Sequence, residues 1–215
     1  IHLNWPSMRT PRSKDADADE KQRMKTEKDL REIRKLFLDA KAYAATNPQV
    51  KNLHLEAMRG IFDGSKLLFV HCDYVKEIIA AVGLCSEIGV KMILVGGTDS
   101  WMVTDLLRQN NIPVIIIQTH RLPSRDDEDI DQPYKLPSIL KNAGVNFAIS
   151  VPKFWQVRNL PFEAGTTAAY GLSKEEALIS VTSSPAKILG ISQTVGVIEV
   201  GKDATFIISS GDLLD

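Results

Sequence analysis

Cysteine is scarce in this chain of 215 residues: Cys72 and Cys85 form neither a Cys-x-x-Cys pair nor a dense framework. That excludes a disulfide scaffold, and the apolar sequence around both reads as buried, reduced thiols. Net charge is also missing, with 26 Lys and Arg against 27 Asp and Glu. No global field therefore draws the chain to nucleic acid or to an anionic membrane. No apolar run is long enough to span a bilayer, and no basic stretch leading into an apolar one opens the chain. The first residue is Ile1 rather than Met, which reads as a removed segment or a piece of a longer polypeptide, so the compartment stays open. A phosphate-binding loop is missing too. "LVGGTDS" (94–100) is neither G-x-G-x-x-G nor a P-loop, which argues against a nucleotide-binding doubly wound domain.

What remains is ordinary for a globular domain, 44% apolar and 25% charged, and long enough to bury a sizeable core. Residues 1–13 read as irregular. From Asp15 to Thr46 the chain is charged, with Leu30, Ile33, Phe37, Ala40 and Ala44 on one helical stripe, stopped by Asn47-Pro48. A second helix is expected near 51–62, broken by Gly64. Then come four continuous apolar runs, "KLLFV" (66–70), "KMILVGG" (91–97), "PVIII" (113–117) and "VNFAIS" (145–150), separated by helical stretches near 74–88, 99–109 and 134–143. Runs without polar alternation fit strands covered on both faces, and their alternation with helices makes them parallel βαβ units. Helices follow at 160–170 and at 174–182, the latter opened by the capping box Ser173–Glu176. Another starts at "SPAKILG", with Ser184 as N-cap, Pro185 at the first helical position and Gly190 as terminator. "GVIEVGKDATFIIS" (196–209) reads as two strands around a Gly-Lys-Asp turn. Two strands alone are not stable in water, so this pair calls for a partner sheet.

"GLSKEEALISVTSSPAKILGISQTVGVIEVGKDATFIIS" resembles the closing signature of the amidohydrolase superfamily. "VGGTDSWMVTDLLRQNNIPVIII" and "RNLPFEAGTTAAYGL" resemble its imidazolonepropionase-like branch more loosely. The resemblance implies an α/β fold, the C-terminal half of a (β/α)8 TIM-like barrel in four parallel βα units, plus part of a small β-sandwich. The implied organisation is an N-terminal irregular segment and charged helix over 1–50, the half barrel with its C-terminal helices over 51–190, and sandwich strands over 191–215. A half barrel exposes unpaired edges. The expected partner is the missing N-terminal half of a longer chain, or a second copy in a homo-oligomer, with a small-molecule substrate and neither nucleic acid nor membrane.

By the same resemblance the protein hydrolyses C–N bonds of a cyclic amide, peptide or amino-acid derivative with a divalent metal, zinc being expected. The ligands lie at the C-terminal ends of strands. No His-x-His occurs, as expected if the first strand lies elsewhere. His71, ending "LLFVH", falls at the fifth-strand metal ligand; the other reading is a hydrogen-bonded strand-end histidine. At strand six Gly96 and Gly97 replace the expected His, and at strand eight Ser150, Val151 and Pro152 replace the expected Asp. Asp99 is the candidate catalytic acid or ligand, with a helix cap as its alternative. His120 and Arg121, just after the seventh strand, are candidate substrate-binding residues, Arg121 for a carboxylate. The alternative has Arg121 and Arg125 pairing with Asp126, Asp127, Glu128 and Asp129 to order a long loop. Lys153, Trp155 and Arg158 also stand near the expected mouth, whereas His2 and His54 belong to no motif. This portion alone is expected to be inactive. The competing reading is a metal-free, catalytically degenerate amidohydrolase fold acting as a binding or scaffold protein.

Overall fold

The computed structural model describes residues 1–9, 16–46 and 48–214. The helix start at Asp15, the stop at Asn47 and residues 10–13 of the irregular segment lie outside the described residues. The chain forms two compact units, Ile1–Met92 and Ile93–Asp215.

The first unit opens with a strand where the sequence reads as irregular. β1 (His2–Asn4) leads to α1 (Ala16–Ala44), the short helices α2 (Leu53–Met58) and α3 (Gly60–Asp63), then β2 (Leu68–Cys72) and α4 (Val75–Ile88). β1 pairs with β2 in parallel, Leu3 opposite Val70 and Asn4 opposite His71. The correction has a physical reason: three residues carry too little periodicity to announce a strand, and each paired residue lies 67 positions on. Glu77, buried at the start of α4, fixes the exit of β1 by accepting from Met8 N–H at 2.9 Å. The α1 stripe behaves as its spacing predicts, with Phe37 and Ala40 buried, and Lys41 donates to Ile88 O at 2.5 Å. The helix expected over 51–62 is split at Arg59 into α2 and α3, and Gly64 closes it in the left-handed conformation. Leu68, Val70, Ile78, Ala81, Val82 and Ile88 make the core. Cys72 and Cys85 are free and buried. Burial pushes their thiols up to about 12 and about 11, so both are inert.

The second unit runs β3 (Met92–Gly96), a 3₁₀ turn over Ser100–Val103, α5 (Thr104–Gln109), β4 (Val114–Ile116), α6 (Gln132–Asn142) and β5 (Phe147–Ile149). A second 3₁₀ segment (Phe154–Asn159), α7 (Leu160–Ala169), α8 (Lys174–Val181) and α9 (Ser183–Ile188) follow. β3, β4 and β5 are parallel neighbours, Leu94 opposite Val114 and Ile115 opposite Ala148. β3 is buried throughout, as the unbroken apolar run requires. The Ser173–Glu176 capping box is formed. α9 starts two residues before the expected Pro185, because Ser184 does not cap it: its hydroxyl donates instead to the Phe147 carbonyl of β5.

Among the described residues the strand pair expected over 196–209, in the segment 191–215, does not form. Residues 191–214 hold turns and extended chain without a ladder, although Lys202 N–H closes the Gly-Lys-Asp turn on Glu199 O at 3.2 Å. Ile198 and Ile208, 91% and 86% exposed, show why: no strand lies beside them to satisfy the backbone and cover the side chains. The tail is held at its end instead. Leu214 is buried, Lys174 pairs with Asp212 at 2.7 Å, and the Leu214 carbonyl passes over Gly165 of α7. Among the described residues no helix is long and apolar enough to cross a membrane.

Candidate functional site

In the first unit, His71 stands near the end of β2, half-buried, and meets a residue that carried no motif. His2 Nδ1 lies 2.8 Å from His71 Nε2, and the His2 ring stacks on Phe69 at 4.8 Å. Parallel pairing places the strand ends side by side; nothing in the spacing of residues 2 and 71 announces it. One nitrogen donates and the other accepts, so the contact requires at least one neutral imidazole. Burial, and then the charge of His2, hold His71 below the usual histidine range, opposed by Asp73.

In the second unit, Asp99 follows β3 through Gly96 and Gly97, both at positive φ. Its side chain is 3% exposed and pairs with Arg125 from the loop after β4. It makes no side-chain cap to the following 3₁₀ turn. Arg125 also binds Asp127 at 2.9 Å. Burial works against its charge, but the two carboxylates hold its proton more firmly than usual. Gly97 occupies the place where a strand-six ligand is expected. At φ +65° a Cβ would stand 3.0 Å from Leu94 and 3.2 Å from Val114, so a side chain there is strained and its neighbours would have to give way.

The loop after β4 is braced from three sides. Glu163 of α7, 3% exposed, accepts through Oε2 from Thr119 N–H at 2.7 Å, Thr119 Oγ at 2.6 Å and His120 N–H at 2.8 Å. His120 Nε2 lies 2.5 Å from Thr166 Oγ1, and its Nδ1 is 3.9 Å from Glu163 Oε1. Arg121 donates from Nη2 to Glu128 Oε1 at 2.6 Å and from Nη1 to Glu128 Oε2 at 3.3 Å. Burial pushes the Glu128 carboxyl upward, but hydrogen bonds from Arg121 and Ser124 outweigh it and leave the group below the usual carboxylate range. Loop ordering by Arg121 and Arg125 is thus observed, with Asp99 as an additional partner from 26 residues away. Around this loop lies an open cavity of about 530 Å³ lined by His120, Arg121, Leu122, Tyr134, Thr166 and Tyr170. The Tyr134 and Tyr170 rings are 5.0 Å apart. The sequence brings His120 and Arg121 to notice but not Glu163 or the two tyrosines. An acid in the first turn of a helix ordinarily complements the helix dipole, and only the "LPFEAG" match drew attention to this stretch. Lys153 and Trp155 contact each other, 5.6 Å from ammonium to ring, and do not line the cavity.

A metal centre needs about three protein ligands. Among the described residues no group of three or more His, Cys, Asp and Glu is placed to hold an ion. His2 and His71 supply two imidazoles, Gly97 carries no ligating group, Asp99 is paired with Arg125, and Ser150 stands where the strand-eight Asp is expected. The residues present do not complete the expected centre.

A model of the amidohydrolase family matches residues 45–214. No curated protein matches. Among solved structures, an amidohydrolase from Thermotoga maritima MSB8 is 21% identical with a TM-score of 0.78, over 100% of this chain and 57% of that one. An uncharacterised metal-dependent hydrolase from Pyrococcus furiosus is 17% identical with a TM-score of 0.55, over 76% of this chain and 36% of that one. A prolidase complexed with N-methylphosphonate-L-proline is 19% identical with a TM-score of 0.53, over 72% and 40%. These likenesses show the fold: the chain is α/β and carries part of a TIM-like barrel. It spans 57% of the length of the Thermotoga protein.

Proposed function

The chain belongs to the amidohydrolase family, and on that premise we propose that it forms the substrate-recognising portion of a hydrolase acting on carbon–nitrogen bonds. The substrate class is a cyclic amide, a peptide or an amino-acid derivative, of the kind handled by the imidazolonepropionase-like branch. The observation that carries this reading is the braced loop after β4, which turns His120 and Arg121 to a cavity at the position where barrel enzymes bind substrate. A divalent metal would supply Lewis-acid chemistry at the scissile carbonyl, and of the ligands expected in this portion His71 is the one present. The described residues do not complete the metal centre, so they bind and orient, and the portion is inactive alone. The rest of the barrel comes from the remainder of a longer polypeptide or from a second copy; coverage of 57% of the Thermotoga chain supports this. The test is hydrolysis of a dipeptide and cyclic-amide panel by the 215-residue chain and by a longer form carrying upstream barrel strands. Turnover by the longer form alone supports the reading; no turnover by either opposes it.

A second reading is favoured by the Asp99–Arg125 pair and by Gly97: the fold has lost its metals and serves as a binder. Metal analysis of the longer form separates the two. Stoichiometric zinc lost in His71→Ala supports hydrolysis, and metal-free protein that still binds small molecules supports the binder.

A further inference from the structure

The cavity beside the β4 loop has a one-sided chemistry. Its polar lining is His120, Arg121, Thr166 and the hydroxyls of Tyr134 and Tyr170, with Leu122 as its apolar member; the Thr166 hydroxyl already donates to the Phe162 carbonyl and accepts from His120 Nε2, so the donors left to a ligand are Arg121 and the two phenols. No acid lines it. The two nearby carboxylates, Glu163 and Glu128, are 4% and 1% exposed and already accept from loop groups.

Arg121 is the informative residue. It meets Glu128 end-on, through Nη1 and Nη2, and Nη1 also reaches Leu122 O at 3.0 Å and Ser124 Oγ at 3.2 Å. A guanidinium has five N–H groups in a fixed fork. This arrangement leaves Nε–H and the second Nη2–H without a partner among the described residues. Those two share one edge, the side-on edge that grips a carboxylate with two parallel hydrogen bonds. The buried Glu128 holds the guanidinium rigid, so little freedom is lost when an anion arrives. The tyrosine pair offers aromatic surface to a flat or apolar body, and about 530 Å³ is the size of a small-molecule cleft.

We infer that this cavity binds a small monocarboxylate with a ring or other apolar body, its carboxylate on the free edge of Arg121 beside His120 and its body against Tyr134 and Tyr170. A monoanion fits better than a phosphate dianion, because Glu128 and Glu163 already offset much of the local positive charge. This deepens the substrate-binding reading and rests on it: an acid is the carbonyl-side product of C–N cleavage.

The test is calorimetric titration of the 215-residue chain, in EDTA, with N-acetyl-L-phenylalanine, N-acetyl-L-phenylalaninamide and inorganic phosphate. The acid is expected to bind about tenfold or more tightly than the amide, because the charge-assisted pair is lost in the latter. Phosphate is expected to compete weakly. Arg121→Lys keeps the Glu128 ion pair but not the fork, and should weaken acid binding by about tenfold with the melting temperature nearly unchanged. Tyr134→Ala and Tyr170→Ala should weaken acid and amide alike. Equal affinity for acid and amide, tighter binding of phosphate, undiminished binding in Arg121→Lys, or no binding of the acid would overturn the proposal. Turnover plays no part in this readout: acid binding by the 215-residue chain with no turnover by the longer form sinks only the hydrolase reading, and turnover by the longer form without acid binding by the 215-residue chain sinks only this one.

Discussion

Glu163 gathers three donors on one oxygen: two from Thr119 and the main-chain N–H of His120. Removing that carboxylate leaves buried donors without acceptors, which costs about 1–3 kcal/mol for each group so exposed to an apolar setting. Glu163→Ala is therefore expected to lower unfolding stability by about 3 kcal/mol in urea, against under about 0.5 for the exposed Glu175→Ala. The two histidines of the first unit give a pH signature. His71 is held below its ordinary value by burial and by His2, so the unfolded chain binds that proton more readily than the fold. Stability from this group is present above about pH 6.5, the unfolded value, and is lost as pH falls toward the lower folded value. Urea midpoints taken from pH 7.5 to pH 5 should fall in the wild type, and less steeply in His71→Gln. A slope unchanged by the substitution contradicts the assignment. At this scale the sequence was legible wherever chemistry was local. Arg121 and Glu128 are seven residues apart and were readable as a pair, whereas Arg125–Asp99 and His2–His71 depend on strands meeting across long separations.

Elements were legible in proportion to their length and burial. β3 lies inside its unbroken apolar run, β2 overlaps its own and continues through His71 and Cys72, and α4 ends at Gly89 in the left-handed conformation, as its stop signal says. β1 escaped because His2–Asn4 is too short to show a period. The tail misled for the opposite reason: "GVIEVGKDATFIIS" has the pattern of strands, but a pattern cannot form a ladder without a neighbour. Its attachment through Gly165 is testable. A Cβ there would stand 1.9 Å from Leu214 O, so Gly165→Ala must push residues 212–214 off α7. Limited proteolysis should then cut the tail severalfold faster, with the α8 capping box intact. Ser173→Ala, in contrast, should cost about 1 kcal/mol and leave the tail rate unchanged.

For the whole molecule, membership in the amidohydrolase family and the residues that would make a metal enzyme point in different directions. The barrel portion was readable from its closing signature and four apolar runs. The incomplete centre was readable in part, from the glycines at strand six and Ser150 at strand eight. What only the structure adds is that Asp99 already has a cation in Arg125 and that a side chain at Gly97 would be strained. The most direct check is a zinc titration of the 215-residue chain by competition with a chromogenic chelator. The account predicts less than one equivalent bound at micromolar zinc, with no change in His71→Ala. One tightly bound equivalent that disappears in His71→Ala would contradict it.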